Sequence, residues 1–450
     1  NKDNYDAIRD YAYLKYLKND LIKAEKLFEK ISSKMAKDFF GLNIYGLINF
    51  YKGNLNEAEK KFVKAISIKP DYIDSYNNLG KIYFDLEDLD AAFNNFKKAY
   101  KLNKDFYKTL INVGNILSLK DKINFAIIAY KKALKLTNDK GEILSNISIA
   151  YSRIKDFNNA IKYYEKAIKY KIDNPYLRLS LSYLYLYKNK YTEAWGLFDA
   201  RIQNNKFFNN EYKKDLITHI LKKNTDFKRN EKLLVLREQG LGEEILFSSI
   251  YPDLIKYSNK VTIETDPRLI QIFERSFNKK IFVKSGKFSK NINKLKDFEV
   301  IIFAGSLGKK FRKENDNFPK NKFLFSNKNQ DLVFKQKSIF NNEKLKIGIS
   351  WKSVISIYGK LKSLKLIDFK LIFRENRQII NLQYGDVKNE IKQIEKERYD
   401  IYTFDNVNLF EDIDSCMSIL KNIDVFVTVS NSTAHIAASM GVKTILICPK

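Results

Sequence analysis

The hydrophobic pattern of this chain changes period about half-way along. In the first half, apolar positions fall at helical spacing, and that pattern itself repeats. Alanines stand at 24, 58, 92, 126, 160 and 194, each 34 residues from the last. Four residues after each comes an aromatic: Phe28, Phe62, Phe96, Tyr130, Tyr164 and Phe198. Twelve residues before each comes a small residue: Ala12, Gly46, Gly80, Gly114, Ser148 and Ser182. The middle four units add Ala65, Ala99, Ala133 and Ala167 seven residues further on, and Pro70 closes one unit. Small residues in these registers let two antiparallel helices approach closely, with the aromatic filling the gap between units. A fixed period of this length marks a stacked helical array with a concave groove. The register loosens after Phe198, where Arg201 takes the place of the alanine.

From residue 232 the pattern becomes short apolar runs alternating with helical stretches. The runs at 232–238, 260–265, 280–285 and 298–305 read as strands. After a polar, Lys- and Asn-rich stretch at 309–344, so do 346–351, 378–383, 399–404, 424–430 and 443–448. Such alternation predicts parallel sheets with helical crossovers. The expected organisation is a repeat superhelix over 1–204 and a helical connector over 205–231. Two Rossmann-like domains facing a cleft follow, over 232–330 and 331–450. The second of these reads as incomplete, since both ends of the chain look cut. Ligands of such sheets bind at the carboxyl ends of the strands.

Composition narrows the function classes. At 44% hydrophobic and 14% aromatic residues, the chain can build packed cores. No apolar run approaches the roughly 20 residues needed to span a bilayer, and a cytoplasmic location is the default expectation. Cys416 and Cys448 supply neither a disulfide framework nor a metal cluster. A net charge of +28 invites a nucleic-acid reading. Only 12 of the 81 basic residues are Arg, however, and Lys is spread evenly, so the charge reads as solvated surface and no nucleic-acid partner is expected.

The 34-residue unit resembles the tetratricopeptide repeat, a helix–turn–helix module. Asn78, Asn112 and Asn146 share one register on the first helices of successive repeats, with Ile44 and Ser180 in the neighbouring ones. An amide both donates and accepts, so a ladder of them can clamp an extended peptide backbone, as a similar ladder does in O-linked N-acetylglucosamine transferases. Asn enrichment from composition is the alternative. A protein or peptide in the groove is the expected partner.

Four segments carry a further resemblance: LREQGLGEEILFSSIYPDL (236–254), KIGISWKS (346–353), INLQYGDVKNEI (380–391) and VTVSNSTAHIAASMGVKTILICP (427–449). In this order they resemble the tetratricopeptide-repeat glycosyltransferases related to the heptosyltransferases, and the resemblance covers nearly the whole chain. It implies a GT-B fold. It also implies a nucleotide-sugar donor held mainly by the C-terminal domain, an acceptor held mainly by the N-terminal one, and no obligatory metal or other cofactor.

In the last segment a strand runs into a helix whose free N–H groups make an anion site. Ser430, Asn431, Ser432 and Thr433 can add hydrogen bonds to a donor diphosphate, and His435 lies in the first turn. A well-capped helix is the alternative. Relatives often carry Asp where Ser430 stands. Lys352, Lys360 and Lys362 can offset charge on a departing diphosphate. Trp351 reads as core. Gln383 and Tyr384 end a strand and can line a nucleotide pocket. At the first strand-to-helix turn, Gly240 and Gly242 permit a tight turn and close approach of a ligand, and Gln239 is a possible acceptor contact. Glu243 holds the place of the relatives' proposed general base, an Asp. A carboxylate there can accept a sugar hydroxyl's proton, or simply favour the helix N-terminus. Asp412 and Asp414 lie in a helix-like segment and do not read as a metal pair. Two functions follow: an inverting, metal-independent glycosyltransferase whose repeats recruit a protein, or a repeat scaffold whose transferase-like half has lost activity.

Overall fold

The small residues at 46, 80 and 114 each become a close helix–helix contact within their repeat. The structure, a computed structural model, describes residues 5–170, 174–204, 212, 214–222, 226–238, 240–353 and 362–448. It divides into two compact units, Asn1–Leu184 and Tyr185–Lys450.

The first unit pairs α1 (Tyr5–Leu17) with α2 (Leu21–Ile31), α3 (Phe39–Tyr51) with α4 (Leu55–Ile68), and α5 (Ile73–Asp85) with α6 (Leu89–Leu102). Likewise α7 (Tyr107–Leu119) pairs with α8 (Ile123–Lys135), and α9 (Gly141–Arg153) with α10 (Phe157–Lys169). Ala24, Ala58, Ala92, Ala126 and Ala160 are all fully buried. The aromatic four residues on lies over the small residue of its own repeat, rather than only between repeats as expected. A methyl group on Gly46 would come within 2.6 Å of the Phe62 ring, and one on Gly80 within 2.5 Å of Phe96. Neighbouring repeats add ring contacts, such as Phe28 stacked on Tyr45 at 5.5 Å. A second 34-residue register is visible only in the backbone. Asn19, Gly53, Glu87, Asp121 and Lys155 all adopt positive φ, between 58° and 83°, in the turn between the two helices of their repeats. This left-handed conformation ends a helix cleanly and is cheapest for Gly.

The second unit begins with the helices Tyr191–Phe198 and Lys214–Lys222, then builds two four-stranded parallel sheets. The first contains β1 (Leu233–Leu236), β2 (Val261–Thr265), β3 (Phe282–Lys284) and β4 (Val300–Phe303), in the order β3-β2-β1-β4. The second contains β5 (Leu345–Ser350), β6 (Arg377–Asn381), β7 (Val425–Val429) and β8 (Thr444–Ile447), in the order β6-β5-β7-β8. The run at 399–404, expected as a strand, contributes only one bridge, Tyr402 to Ile380, because it passes the sheet edge at a single residue. Helix Lys214–Lys222 covers one face of the first sheet, with Leu216, Ile217 and Ile220 packed on Leu234, Leu236 and Phe303. Trp351 is fully buried among Ile349, Leu366 and Ile379 of the second half, as its reading as core requires.

The division at residues 184 and 185 falls some twenty residues before the expected boundary at 204. The reason is that the second helix of the sixth repeat packs into the α/β unit. Trp195 Nε1 donates to the Arg312 carbonyl at 2.7 Å, and the Phe198 ring meets Phe247 edge-on at 6.2 Å. The polar stretch at 309–344 is ordered as well. Phe323 and Leu324 donate their amides to the Ser439 carbonyl, at 3.0 and 3.2 Å.

Candidate active site

Each sheet reverses its strand order once, and the singled-out motifs stand at those two reversals. In the first sheet the chain steps outward from β1 to β3 and then returns to the other side of β1 as β4. In the second it steps from β5 to β6 and returns beside β5 as β7. Loops at the carboxyl end of such a reversal diverge and leave a crevice, the usual ligand site of open parallel sheets.

At the second reversal, Asn431 is the N-cap of helix Ser432–Ser439, its Oδ1 accepting from Ala434 N at 3.0 Å. Its Nδ2 donates to Ser350 Oγ at 2.7 Å and to the Lys352 carbonyl at 3.3 Å. Asn431 thus ties the end of β7 to the end of β5, and it is buried, as is Thr433. Asn431 holds the helix end in place, while Ser430, Ser432 and His435 beside it are half-buried. Gln383 is likewise engaged within the protein, although it also lines the cavity beyond β6. Its amide oxygen accepts from Ser350 Oγ, Trp351 N and Lys352 N at 2.7–2.9 Å, and its nitrogen donates to the Tyr384 carbonyl. The amide oxygen is thus fully engaged, while the nitrogen keeps one further N–H to donate. Lys352 is matched too, since its ammonium pairs with Glu390, which also accepts from Trp351 Nε1. Lys362 is exposed. Lys360 and Gln239 lie outside the described residues.

At the first reversal, a four-residue loop separates β1 from helix Leu241–Ser248, whose first turn packs against the first turn of helix Ser432–Ser439. A methyl group on Gly242 would lie 3.1 Å from His435 Cδ2 and 3.5 Å from Ser432 Oγ. Gly242 therefore sits in close contact with the neighbouring helix, where a larger residue would press on His435. Gly240 has φ −134° and ψ 172°, extended angles that any residue adopts, so the expected tight turn does not depend on it. Glu243 is exposed in the first turn of its helix. Burial depresses the His435 pKa, the Glu243 charge opposes that shift, and Lys362 adds to it. These three groups thus share one electrostatic environment, with the imidazole favoured in its neutral form.

At the carboxyl end of β6 lies a cavity of about 940 Å³. Its wall includes Tyr384, Asp386, Thr403, Asp405, Asn408 and Phe410. Tyr384 and Phe410 place their rings 6.0 Å apart. Arg268, just beyond β2 of the first sheet, donates to the Phe410 carbonyl at 2.9 Å and lies 4.8 Å over its ring. Sequence reasoning missed Arg268, which no motif marks. It also missed Glu244, the neighbour of the expected base. Glu244 is buried, accepts from Thr265 Oγ1 and Asp266 N at 2.7 and 2.9 Å, and stands 2.8 Å from Arg237 Nε. Burial pushes its carboxyl up to about 7 despite these partners.

In the repeat unit, the expected ladder donates between repeats. Asn78 Nδ2 reaches Asn43 Oδ1 at 3.0 Å, while Asn112 reaches Asn77, and Asn146 reaches Asn115, at a long 3.4 Å. Buried Ser75 and Thr109 complete the two stronger knots, on Asn43 and Asn77. The amide hydrogens of the ladder stitch repeat to repeat.

Residues 46–86 match the TPR repeat family, and residues 73–106 and 141–173 match the tetratricopeptide repeat family. The first unit carries tetratricopeptide repeats. Among curated proteins, Protein FlbA of Caulobacter vibrioides is 24% identical over 234 residues, 47% of this chain and 38% of that protein, so the chain spans less than two fifths of that relative's length. Among solved structures, the thermophilic tetratricopeptide protein TTC0263 of Thermus thermophilus aligns at 21% identity with TM-score 0.36, over 40% of this chain and 99% of its own. Pseudomonas aeruginosa pilF aligns at 21% identity with TM-score 0.34, over 37% of this chain and 76% of its own. Among the described residues no group of three His, Cys, Asp or Glu side chains is placed to hold a metal, and no helix is long and apolar enough to cross a membrane.

Proposed function

We propose that the α/β unit is a GT-B glycosyltransferase that moves a sugar from a nucleotide-sugar to a hydroxyl acceptor with inversion and without a required metal. The observation that carries this reading is the meeting of two helix N-termini, one from each sheet's reversal, at Gly242 and His435. A helix N-terminus favours negative charge. Ser430, Ser432, His435 and Lys362 are the polar groups at that end with capacity for a diphosphate. The 940 Å³ cavity at the carboxyl end of β6, with its Tyr384–Phe410 ring pair, has room for the nucleoside. Glu243, exposed at the facing helix end, serves as the base that takes the acceptor's proton as the glycosidic bond to the diphosphate breaks. Tetratricopeptide repeats are protein-interaction modules, and the repeat unit recruits a peptide or protein.

A test uses thermal stability against a panel of nucleoside diphosphates and nucleotide sugars, with His435→Ala as the control. A ligand present at about a hundred times its Kd adds roughly 2.7 kcal/mol. A shift for one nucleotide class, lost in the variant, supports the reading. The second reading, a repeat scaffold with an inactive α/β half, draws on the internal commitment of Asn431, Gln383 and Lys352. It predicts no shift across the panel.

A further inference from the structure

We propose that Arg201, the residue that breaks the repeat's alanine register, is a positioning residue for the strand-to-helix segment that carries Glu243. Its side chain is 1% exposed and its partner Glu238 is wholly buried. Arg201 Nε donates to Glu238 Oε2 at 2.9 Å, and Nη2 pairs with Oε1. Nη1 donates to Asp199 Oδ1 at 2.7 Å and to the Phe198 carbonyl at 3.2 Å, and Nη2 reaches Ser306 Oγ at 3.2 Å. Glu238 Oε1 also accepts from Gly305 N, on the loop after β4. This knot therefore joins three segments: the end of the last repeat helix, the loop after β1 and the loop after β4.

The packing leaves no slack. A methyl group on Gly305 would lie 2.7 Å from Glu238 Oε1, 2.8 Å from Phe247 Cζ and 2.9 Å from Arg201 Nη2. Phe198, whose ring lies 4.3 Å from the Arg201 guanidinium, also meets Phe247. Phe247 belongs to helix Leu241–Ser248. The segment 238–247 is thus gripped at both ends by one short stretch, Phe198 to Arg201, with Gly240, Gly242 and Glu243 between the grips. A planar guanidinium engages two carboxylate oxygens at once, a geometry an ammonium cannot reproduce. That explains why this position of the repeat carries Arg in place of a small residue.

The inference takes its chemical purpose from the transferase reading, but its test reads the segment alone. The chain has two histidines, His219 and His435. In full-length protein with labelled histidine, a His219→Asn background leaves the His435 resonance to be titrated by NMR. The Glu243 carboxylate raises the His435 pKa, so Glu243→Gln lowers the midpoint and calibrates the measurement. Arg201→Lys keeps the charge and loses the two-pronged grip. It is expected to lower the midpoint by at least half as much as Glu243→Gln, with Arg201→Met lowering it further. Should Arg201→Met fail to fold, Glu238→Gln is read in its place. A midpoint unchanged in Arg201→Lys, alongside a lowered Tm, overturns the proposal and leaves Arg201 as a fold-stabilising residue only. A nucleotide panel without effect on the wild-type chain would instead remove the transferase reading and leave this result standing.

Discussion

Gly242 and His435 lie on helices that follow different sheets, yet a methyl group on Gly242 would stand 3.1 Å from His435 Cδ2. Two effects compete in Gly242→Ala. Alanine gains about 1 kcal/mol of helix propensity, and overpacking against His435 and Ser432 costs about 1–3 kcal/mol. The expected outcome is a small loss of stability, on the order of 1 kcal/mol, together with at least tenfold weaker nucleoside diphosphate binding. Calorimetry of folding and of binding separates the two; unaltered affinity would show that the helix ends do not form the donor site.

Glu243 is the exposed carboxylate at that junction. Glu243→Gln is expected to lower transfer by a factor of about 10²–10⁴, the range for loss of a general base, while nucleotide affinity stays within a few-fold. Turnover equal to wild type in a donor-consumption assay would remove the base assignment.

Glu244 gives the α/β unit a pH dependence of stability. Its folded pKa, about 7, lies above the ordinary carboxylate value because of burial. The folded state therefore holds the proton more tightly than the unfolded one, and this contribution to stability falls as pH rises from about 4.5 through 7. Melting the wild type and Glu244→Gln at pH 5 and pH 8 is expected to show a smaller pH difference in the variant. His435, whose pKa is lowered, acts in the opposite direction below its unfolded value of about 6.5. The comparison with Glu244→Gln isolates the one contribution.

The left-handed turn positions make a third kind of prediction. Glu87 and Lys155 occupy a conformation that costs a side-chain-bearing residue about 1–2 kcal/mol. Glycine relieves that strain but adds about 0.5–1 kcal/mol of unfolded-state freedom. Glu87→Gly and Lys155→Gly are each expected to raise stability by about 0.5–1 kcal/mol, and Gly53→Glu to lower it by a similar amount. Shifts of the urea midpoint in these directions are the check.

In contrast, Gly80→Ala places a methyl 2.5 Å from the Phe96 ring inside a fully packed pair of helices. A loss of about 1–3 kcal/mol is expected, readable as a lower Tm of the repeat unit. A neutral outcome would mean that the ring can turn aside.

The repeat was legible because packing imposes it on side chains: the glycine at 80 and the ring at 96 must be small and large together. Strands such as β1, β4, β5 and β7 were legible because buried parallel strands must be apolar along their length. The run at 399–404 is equally apolar in pattern, but pairing depends on where the chain passes the sheet, and composition does not encode that. The site was legible as motifs and illegible as roles. Asn431 looks like a ligand in a polar cluster, yet a helix cap needs the same residue type. Gln383 could not be assigned because its partners come from Ser350, Trp351 and Lys352, some thirty residues away. Arg201 did leave a signal, an alanine register broken by a charge, and its meaning depended on Glu238. The left-handed register left none, because Asn, Gly, Glu, Asp and Lys all fill it.

The knot at Arg201 also decides where this protein can be cut. A fragment starting at residue 205, the apparent end of the repeats, would leave behind Trp195, Phe198 and Arg201. Glu238 would then be a carboxylate in an apolar interior with its cation removed, a loss of several kcal/mol. The sixth repeat's second helix belongs to the α/β unit by packing and to the array by sequence pattern. Dissection of the two units therefore has to begin upstream of Tyr191, and a recombinant α/β fragment that fails to fold when started later says nothing about whether that unit is autonomous.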